Sequence, residues 1–378
     1  KTAPDAALGA ANMDLAFRNA LADLTMFDDF DEVAKRFKKS AFLPFRFRDK
    51  VYGLPEVQGF PMLFYRKDIL QELGLEVPQT WDDVIAVIPE LQKENMEFGL
   101  WPNMGTYQMF LYQREVALFK EDVIATNLDS ETAIQVFDEL TNLYTLFNLL
   151  IQFDEANRFR MGEMPLLVAN YGLYNTLSVF APELRGEWGM TLVPGTPMSD
   201  GTINRTVPVG GTVVAPGAVA VPQGTSGAVI LEGSNKKDMA WEFLKWWTSK
   251  DTQARFGREM ESLMGAAARY ATANVEAFGE LPWNAEERAV LMEQWDWVEG
   301  VPAVLGGYYV NRLFDWLFRA VVLENEPLRE SILEYDRQIN EEIARKREEF
   351  ELETSIDQLS QELKDLYWSH YTHVHRLD

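Results

Sequence analysis

Between Lys50 and Asp83 the chain reads KVYGLPEVQGFPMLFYRKDILQELGLEVPQTWDD, and this stretch constrains the fold more than any other. Val51 to Pro55 form an extended apolar segment, Glu56-Val57-Gln58-Gly59 an open connector, and Phe60 to Tyr65 a second apolar run. Asp68 to Leu73 then reads as a helical turn stopped by Gly74. Thr80-Trp81-Asp82-Asp83 opens another helix, with the Thr hydroxyl placed to cap and the acids against the positive end of the dipole. Two strands joined by a Gly-containing connector describe either an ordinary sheet crossing or a bridge between two lobes.

At 378 residues the chain exceeds the roughly 100 to 200 residues of one domain, which favours two lobes. Its 35 basic and 59 acidic side chains give a formal charge of −24, with the cations scattered. Phosphate backbones need a concentrated cationic face, so a nucleic-acid partner is not expected. The chain has no cysteine, which excludes disulfides, thiolate chemistry and Cys-containing zinc sites. No window approaches the roughly 18 consecutive apolar residues of a membrane helix.

Elsewhere, strands and helices alternate. Ala3 to Gly9 reads as a buried strand that starts abruptly, which suggests earlier strands in a separate or removed piece. Three-to-four spacing predicts helices over Asp14–Leu24 and Asp29–Lys39, Glu131–Phe147 behind the cap Asp129-Ser130, Met239–Trp247, Ala285–Val298, Arg312–Glu324, Pro327–Leu352 and Ser355–Trp368. Strands are expected at Phe98–Gly99 and Pro165–Val168, and the Gly/Pro-rich region Pro194–Pro222 has strand-like pieces without helical period. The pattern indicates an α/β fold and no solenoid repeat.

Catalytic signatures are missing. There is no phosphate loop, no Gly-x-Ser-x-Gly elbow and no His-Glu-x-x-His motif. The three histidines, His370, His373 and His375, lie at the C-terminus, where a solvated tail is expected in preference to a metal site. Carboxylates such as Glu56 and Glu163 could serve a glycosidase pair, but no local motif singles them out from solvated or capping acids.

Aromatic residues fall into two groups. Phe243, Trp246 and Trp247 follow a helical face and are expected in the core. Tyr52, Tyr65, Trp101, Tyr107, Tyr171, Tyr174, Tyr308 and Tyr309 sit where strands end or loops begin. Each alone is compatible with a core role, yet together they suit stacking against sugar rings, with polar tips for hydrogen bonds.

Several blocks resemble one family. Tyr52-Gly53-Leu54-Pro55, Phe64-Tyr65-Arg66-Lys67-Asp68 and Val77-Pro78-Gln79-Thr80-Trp81-Asp82-Asp83 occur in the order typical of family-1 extracellular solute-binding proteins of bacterial ATP-binding-cassette importers. Ala3-Pro4-Asp5, Phe159-Arg160-Met161-Gly162-Glu163, Gly210-Gly211-Thr212 and the block from Lys237 to Trp247 extend the resemblance over the whole length. The departure is at the N-terminus, where two strand-helix units that precede the Ala-Pro-Asp strand in members similar to maltose-binding protein are absent.

The resemblance implies a two-lobe α/β fold with a helical C-terminus, one lobe from residues 1–58 plus 210–268 and the other from 59–209 plus 269–378, joined at Glu56–Gly59. It implies an extracellular, lipoprotein or periplasmic monomer that uses no cofactor or metal, binds a small molecule, expected to be an oligosaccharide, by hinge closure, and delivers it to a membrane permease. The expected cleft residues are Asn12, Asp14, Glu56, Gln58, Trp101, Asn103, Tyr107, Asn170, Tyr171, Tyr174, Tyr308 and Arg312. A glycoside-active enzyme and a sensor lobe for a membrane kinase remain the alternatives.

Overall fold

In a computed structural model, which describes residues 4–10, 14–210 and 225–374, the Lys50–Asp83 stretch divides much as its pattern predicts. Strands Leu54–Gln58 and Pro61–Arg66 flank the connector, and helix Lys67–Leu73 ends on Gly74 at φ 67°, a left-handed C-cap. Thr80 and Asp83 cap each other at the start of helix Trp81–Lys93: the Asp83 amide donates to Thr80 Oγ1 at 3.2 Å and the Thr80 amide to Asp83 Oδ2 at 2.9 Å.

The two strands beside the connector belong to different sheets. Leu54–Gln58 is an edge of an antiparallel three-stranded sheet, pairing with Thr225–Ile230, which in turn pairs with Ala6–Ala10. Pro61–Arg66 lies inside a four-stranded sheet, between Leu166–Asn170 and Trp188–Thr191, with Phe98–Gly99 parallel to Leu166–Asn170 at the far edge. Met62, Leu63 and Phe64 are all fully buried, as a strand covered on both faces requires. A short parallel pair, Val207–Val209 with Val298–Gly300, forms a separate ribbon.

The apolar cores divide largely along the same line, with Leu43 and Val57 crossing it to join the large cluster. Two smaller clusters gather Leu24, Phe30, Phe42, Leu54, Ile230, Trp241 and Leu244, and Phe45, Tyr52 and Val229. A large cluster takes the four-stranded sheet, helix Glu131–Thr145 behind its Ser130 cap, helix Gly307–Val322 and the C-terminal helices. Leu54 thus feeds a smaller core, while Val57 at the far end of the same strand joins Met62, Leu63 and Phe64 in the large one.

Some local expectations are corrected. The helix expected over Asp14–Leu24 is only Asp14–Phe17, and that over Asp29–Lys39 is Phe30–Ala34 followed by a 3-10 segment, Lys39–Phe45. Phe243 and Trp246 are exposed, 40% and 57% respectively, and Trp247 is half-buried. Helix Lys237–Trp247 instead buries Ala240, Trp241 and Leu244, so Met239, Phe243 and Trp246 form the outward stripe.

The C-terminal residues through Val374 are not a solvated tail. Tyr367, Tyr371 and Val374 join the large core, and the buried Glu299 carboxylate accepts from the Thr372 hydroxyl at 2.6 Å and from the Thr372 and His373 amides. His370 is half-buried, its pKa lowered to about 4 by burial and by the Arg46 charge. His375 lies outside the described residues.

Candidate functional site

Alternation along Leu54–Gln58 puts Glu56 and Gln58 on one face where the chain leaves the three-stranded sheet. Glu56 is buried, and its carboxylate is held by neutral donors. Oε2 accepts the Gly9 amide at 2.8 Å; Oε1 accepts the Trp247 indole N–H at 2.9 Å and the Tyr270 hydroxyl at 3.3 Å. Burial and the Glu56 charge push the Tyr270 hydroxyl well above the ordinary tyrosine range.

Residues 269 to 275 run beside this strand. The Gln58 amide donates to the Ala271 carbonyl and the Ala273 amide to the Glu56 carbonyl, both at 3.0 Å. The Gln58 side chain accepts the Trp295 indole N–H at 2.7 Å, and its main-chain carbonyl accepts the Tyr171 hydroxyl at 3.1 Å.

Next to Tyr171, Asn170 Oδ1 accepts the Gly172 amide at 3.0 Å and turns the strand into helix Leu173–Phe180, which carries Tyr174 and Asn175 in its first turn. Arg269 reaches this helix end. Its Nε and Nη2 donate to the two oxygens of Glu261 at 2.9 and 2.7 Å, and its guanidinium lies 4.3 Å from the Trp283 ring centre and 5.8 Å from that of Tyr174. The Tyr174 hydroxyl donates to Glu287, and its pKa is pushed up to about 12 by burial first and by the Glu287 carboxylate second.

Outside Tyr174 opens a cavity of about 620 Å³, lined by Tyr65, Lys67, Trp188, Arg185, Glu286 and Glu287 among others. Gly189 makes room for its floor: a Cβ there would lie 2.8 Å from the Tyr65 hydroxyl and 3.2 Å from Lys67 Cε. Aromatic walls with both carboxylates and cations suit a polar ligand with flat apolar faces.

The structure therefore brings Glu56, Gln58, Asn170, Tyr171 and Tyr174 into one connected network. Tyr107 is corrected to a core residue, because its ring is fully buried between Phe137 and Phe314 and its hydroxyl donates to the Ala133 carbonyl at 2.9 Å. Tyr171 is likewise buried against Phe60, so it shapes the site through Gln58 and not as a stacking face. Asn103 caps helix Met104–Tyr112 through the Thr106 amide, and Trp101 stacks on Phe153 at 4.4 Å while donating to Glu155.

Tyr308 is exposed at the start of helix Gly307–Val322, where Arg312 lies over Tyr309 and Trp316 at 5.0 and 5.3 Å. Asp14 starts the short helix Asp14–Phe17; Asn12 and the 211–212 part of the Gly210–Thr212 block lie outside the described residues. Sequence reasoning missed Trp247, Tyr270, Arg269, Trp283 and Asn175. The only local signal was the aromatic-polar run at Tyr174-Asn175, since the others meet their partners through chain-distant contacts.

Among the described residues no group of three or more His, Asp or Glu side chains is arranged to hold a metal ion, and no helix is long and apolar enough to cross a membrane.

Comparison with known proteins places this geometry. A binding protein of Brucella abortus is 24% identical over 243 residues, 60% of this chain and 53% of that protein, so the chain spans about half the length of this relative. A lactose-binding protein of Rhizobium radiobacter is 24% identical over 327 residues, 82% of this chain and 72% of the relative. The fold matches a Staphylococcus aureus extracellular solute-binding protein in complex with maltose (TM-score 0.69, 18% identity, 90% of this chain and 84% of the other) and a Xanthomonas citri sugar-binding protein (TM-score 0.67, 19% identity, 93% and 86%). These are two-lobe α/β binding proteins, the architecture to which the two sheets and divided cores correspond. The profile of the bacterial extracellular solute-binding proteins matches residues 3–254, and the chain belongs to that family.

Proposed function

We propose that this chain is the ligand-binding component of a bacterial ATP-driven importer, acting outside the cytoplasmic membrane, and that it takes up a carbohydrate between two lobes by closure. The observation that carries the reading is the Glu56 node: a buried carboxylate held by the Trp247 indole, the Tyr270 hydroxyl and the Gly9 amide, at the connector between two sheets. Carboxylates accept from hydroxyl groups while aromatic faces meet the C–H faces of a sugar ring, so this pairing of residue types fits a saccharide. The Staphylococcus aureus protein bound to maltose and the Rhizobium radiobacter lactose-binding protein support the same class.

The lobes in this reading are residues 1–58 with 210–268, and 59–209 with 269–378. Strands Leu54–Gln58 and Pro61–Arg66 belong to different sheets, and the core changes along the first of them, from Leu54 in a smaller cluster to Val57 in the large one, so this reading puts the rotation near residues 57–59. A ligand that touches both lobes binds the closed form better and shifts the population toward it. The closed pair of lobes then offers one composite surface to a membrane permease, with the protein performing no bond-breaking step.

Isothermal titration with maltose, lactose and raffinose tests the proposal, with chromatography of the sugar afterwards. Saturable binding of at least one sugar, recovered unchanged, is the expected result. Sugar turnover, or binding of glycerophosphocholine in place of every sugar, would overturn it.

A further inference from the structure

Three buried polar atoms beside Tyr174 have no hydrogen-bond partner: Arg269 Nη1, Trp283 Nε1 and Asn175 Oδ1. Each side chain is at least nine-tenths buried. They sit on residues that touch one another, because Asn175 Nδ2 donates to the Arg269 carbonyl at 3.4 Å and the Arg269 guanidinium faces the Trp283 ring at 4.3 Å. Buried groups of this kind are paired in folded proteins as a rule, and three together call for an explanation.

Their chemistry narrows the occupant. Two are N–H donors and one is an acceptor, which matches a single hydroxyl group, with two lone pairs to receive and one proton to give. A carboxylate would satisfy the donors but set its lone pairs against Asn175 Oδ1, and an ammonium would face two donors. Glu261 already balances the Arg269 charge through both its oxygens, so the position asks for hydrogen-bond pattern and not for net charge.

We infer that Arg269, Trp283 and Asn175 form a socket for one sugar hydroxyl, an inference that rests on the carbohydrate reading above. Tyr174 lines the cavity described above and its ring lies 5.2 Å from Trp283, so on this inference the sugar reaches the socket past that ring, on the side of the lobe formed by residues 59–209 and 269–378. Because unpaired polar atoms remain when the hydroxyl is missing, the socket selects against a deoxy analogue more strongly than apolar contacts select by shape.

The test uses Trp283→Phe, which keeps a smaller aromatic ring and removes the N–H donor. Binding of whichever of maltose, lactose and raffinose is tightest is measured on the wild-type chain and the variant, with the monodeoxy derivatives of that sugar. Affinity of the variant is expected to fall about three- to tenfold, the worth of one neutral hydrogen bond. One monodeoxy derivative is expected to bind the wild-type chain poorly and to lose little further affinity in the variant. The unliganded unfolding midpoint should fall only modestly, since the smaller ring leaves a cavity at a buried position while an unpaired buried donor is removed; Arg269→Lys, which shortens the fork, serves as a second affinity variant. Equal sugar affinity in wild type and both variants overturns the socket and leaves the carbohydrate reading intact, whereas a wild-type chain that binds no sugar overturns both.

Discussion

Asp122 is the residue whose replacement should do most damage for the least change in shape. Its Oδ2 accepts from Arg347 Nη2 at 2.7 Å and from Arg48 Nη2 at 2.9 Å, while its own carbonyl accepts from Arg347 Nη1 at 2.6 Å. Arg347 is 2% exposed and spends its Nε on the Glu353 carbonyl at 2.5 Å; Arg48 also reaches the Glu353 carboxylate. The cluster joins the hairpin of strands Arg46–Phe47 and Lys50–Val51, a 3-10 turn at Glu121–Val123 and the end of helix Leu328–Glu349. Asp122 itself has φ 52°, a conformation Asn tolerates nearly as well, so Asp122→Asn removes charge with little backbone strain.

After that change two guanidinium groups face each other, and the buried one keeps only Glu353, at 4.0 Å, as a counter-ion. Breaking one partner of a buried pair typically costs about 3 to 5 kcal/mol, most of it the uncompensated charge. Arg347→Leu should cost somewhat less, since Asp122 retains Arg48, and the more exposed Arg48→Met less again. The pair Asp122→Asn and Arg347→Leu should be less damaging together than their sum, with a coupling of about 1 to 3 kcal/mol. Urea unfolding followed by tryptophan fluorescence reads all four values. A loss below about 1 kcal/mol for Asp122→Asn, in the range of exposed ion pairs, would refute the reasoning.

His370, held neutral by burial and by the Arg46 and Lys39 charges, protonates near 4 in the folded chain against about 6.5 when unfolded. Between those values the unfolded chain binds more protons, so this contribution is complete above about pH 6.5 and is lost as pH falls toward 4. His370→Gln should shrink the difference in urea stability between pH 7 and pH 5 by about 1 to 2 kcal/mol; an unchanged difference would contradict the burial account. Gly300→Ala puts a Cβ 2.5 Å from the Ser40 carbonyl and 2.5 Å from Leu43 Cβ, and should cost about 1 to 3 kcal/mol by the same assay. Trp241→Ala should cost about 3 to 5 kcal/mol, since it empties a core position, while Trp246→Ser on the same helix should change stability by less than about 0.5 kcal/mol.

The boundary between what the sequence discloses and what it withholds follows the length of the interactions. Thr80 and Asp83 satisfy each other across three residues, so the cap is visible in the string of letters, as are Gly74 and Ser130 at their helix ends. Glu56 meets Trp247 and Tyr270 across 191 and 214 residues, and nothing near Glu56 distinguishes it from the other acids. Aromatic residues at loop mouths mislead for a related reason. A tyrosine is compatible with stacking until a partner for its hydroxyl is known, and the partners of Tyr107 and Tyr171 are main-chain carbonyls, which no residue type announces. Helix Lys237–Trp247 shows the ambiguity within one element, since it carries two apolar stripes and only the sheet beside it decides which is buried. Fold class survives such errors because it depends on the order of strands and helices. The site depends on the segment 269–275 lying beside strand Leu54–Gln58, and that single pairing carries both Tyr270 to Glu56 and Arg269 to Trp283.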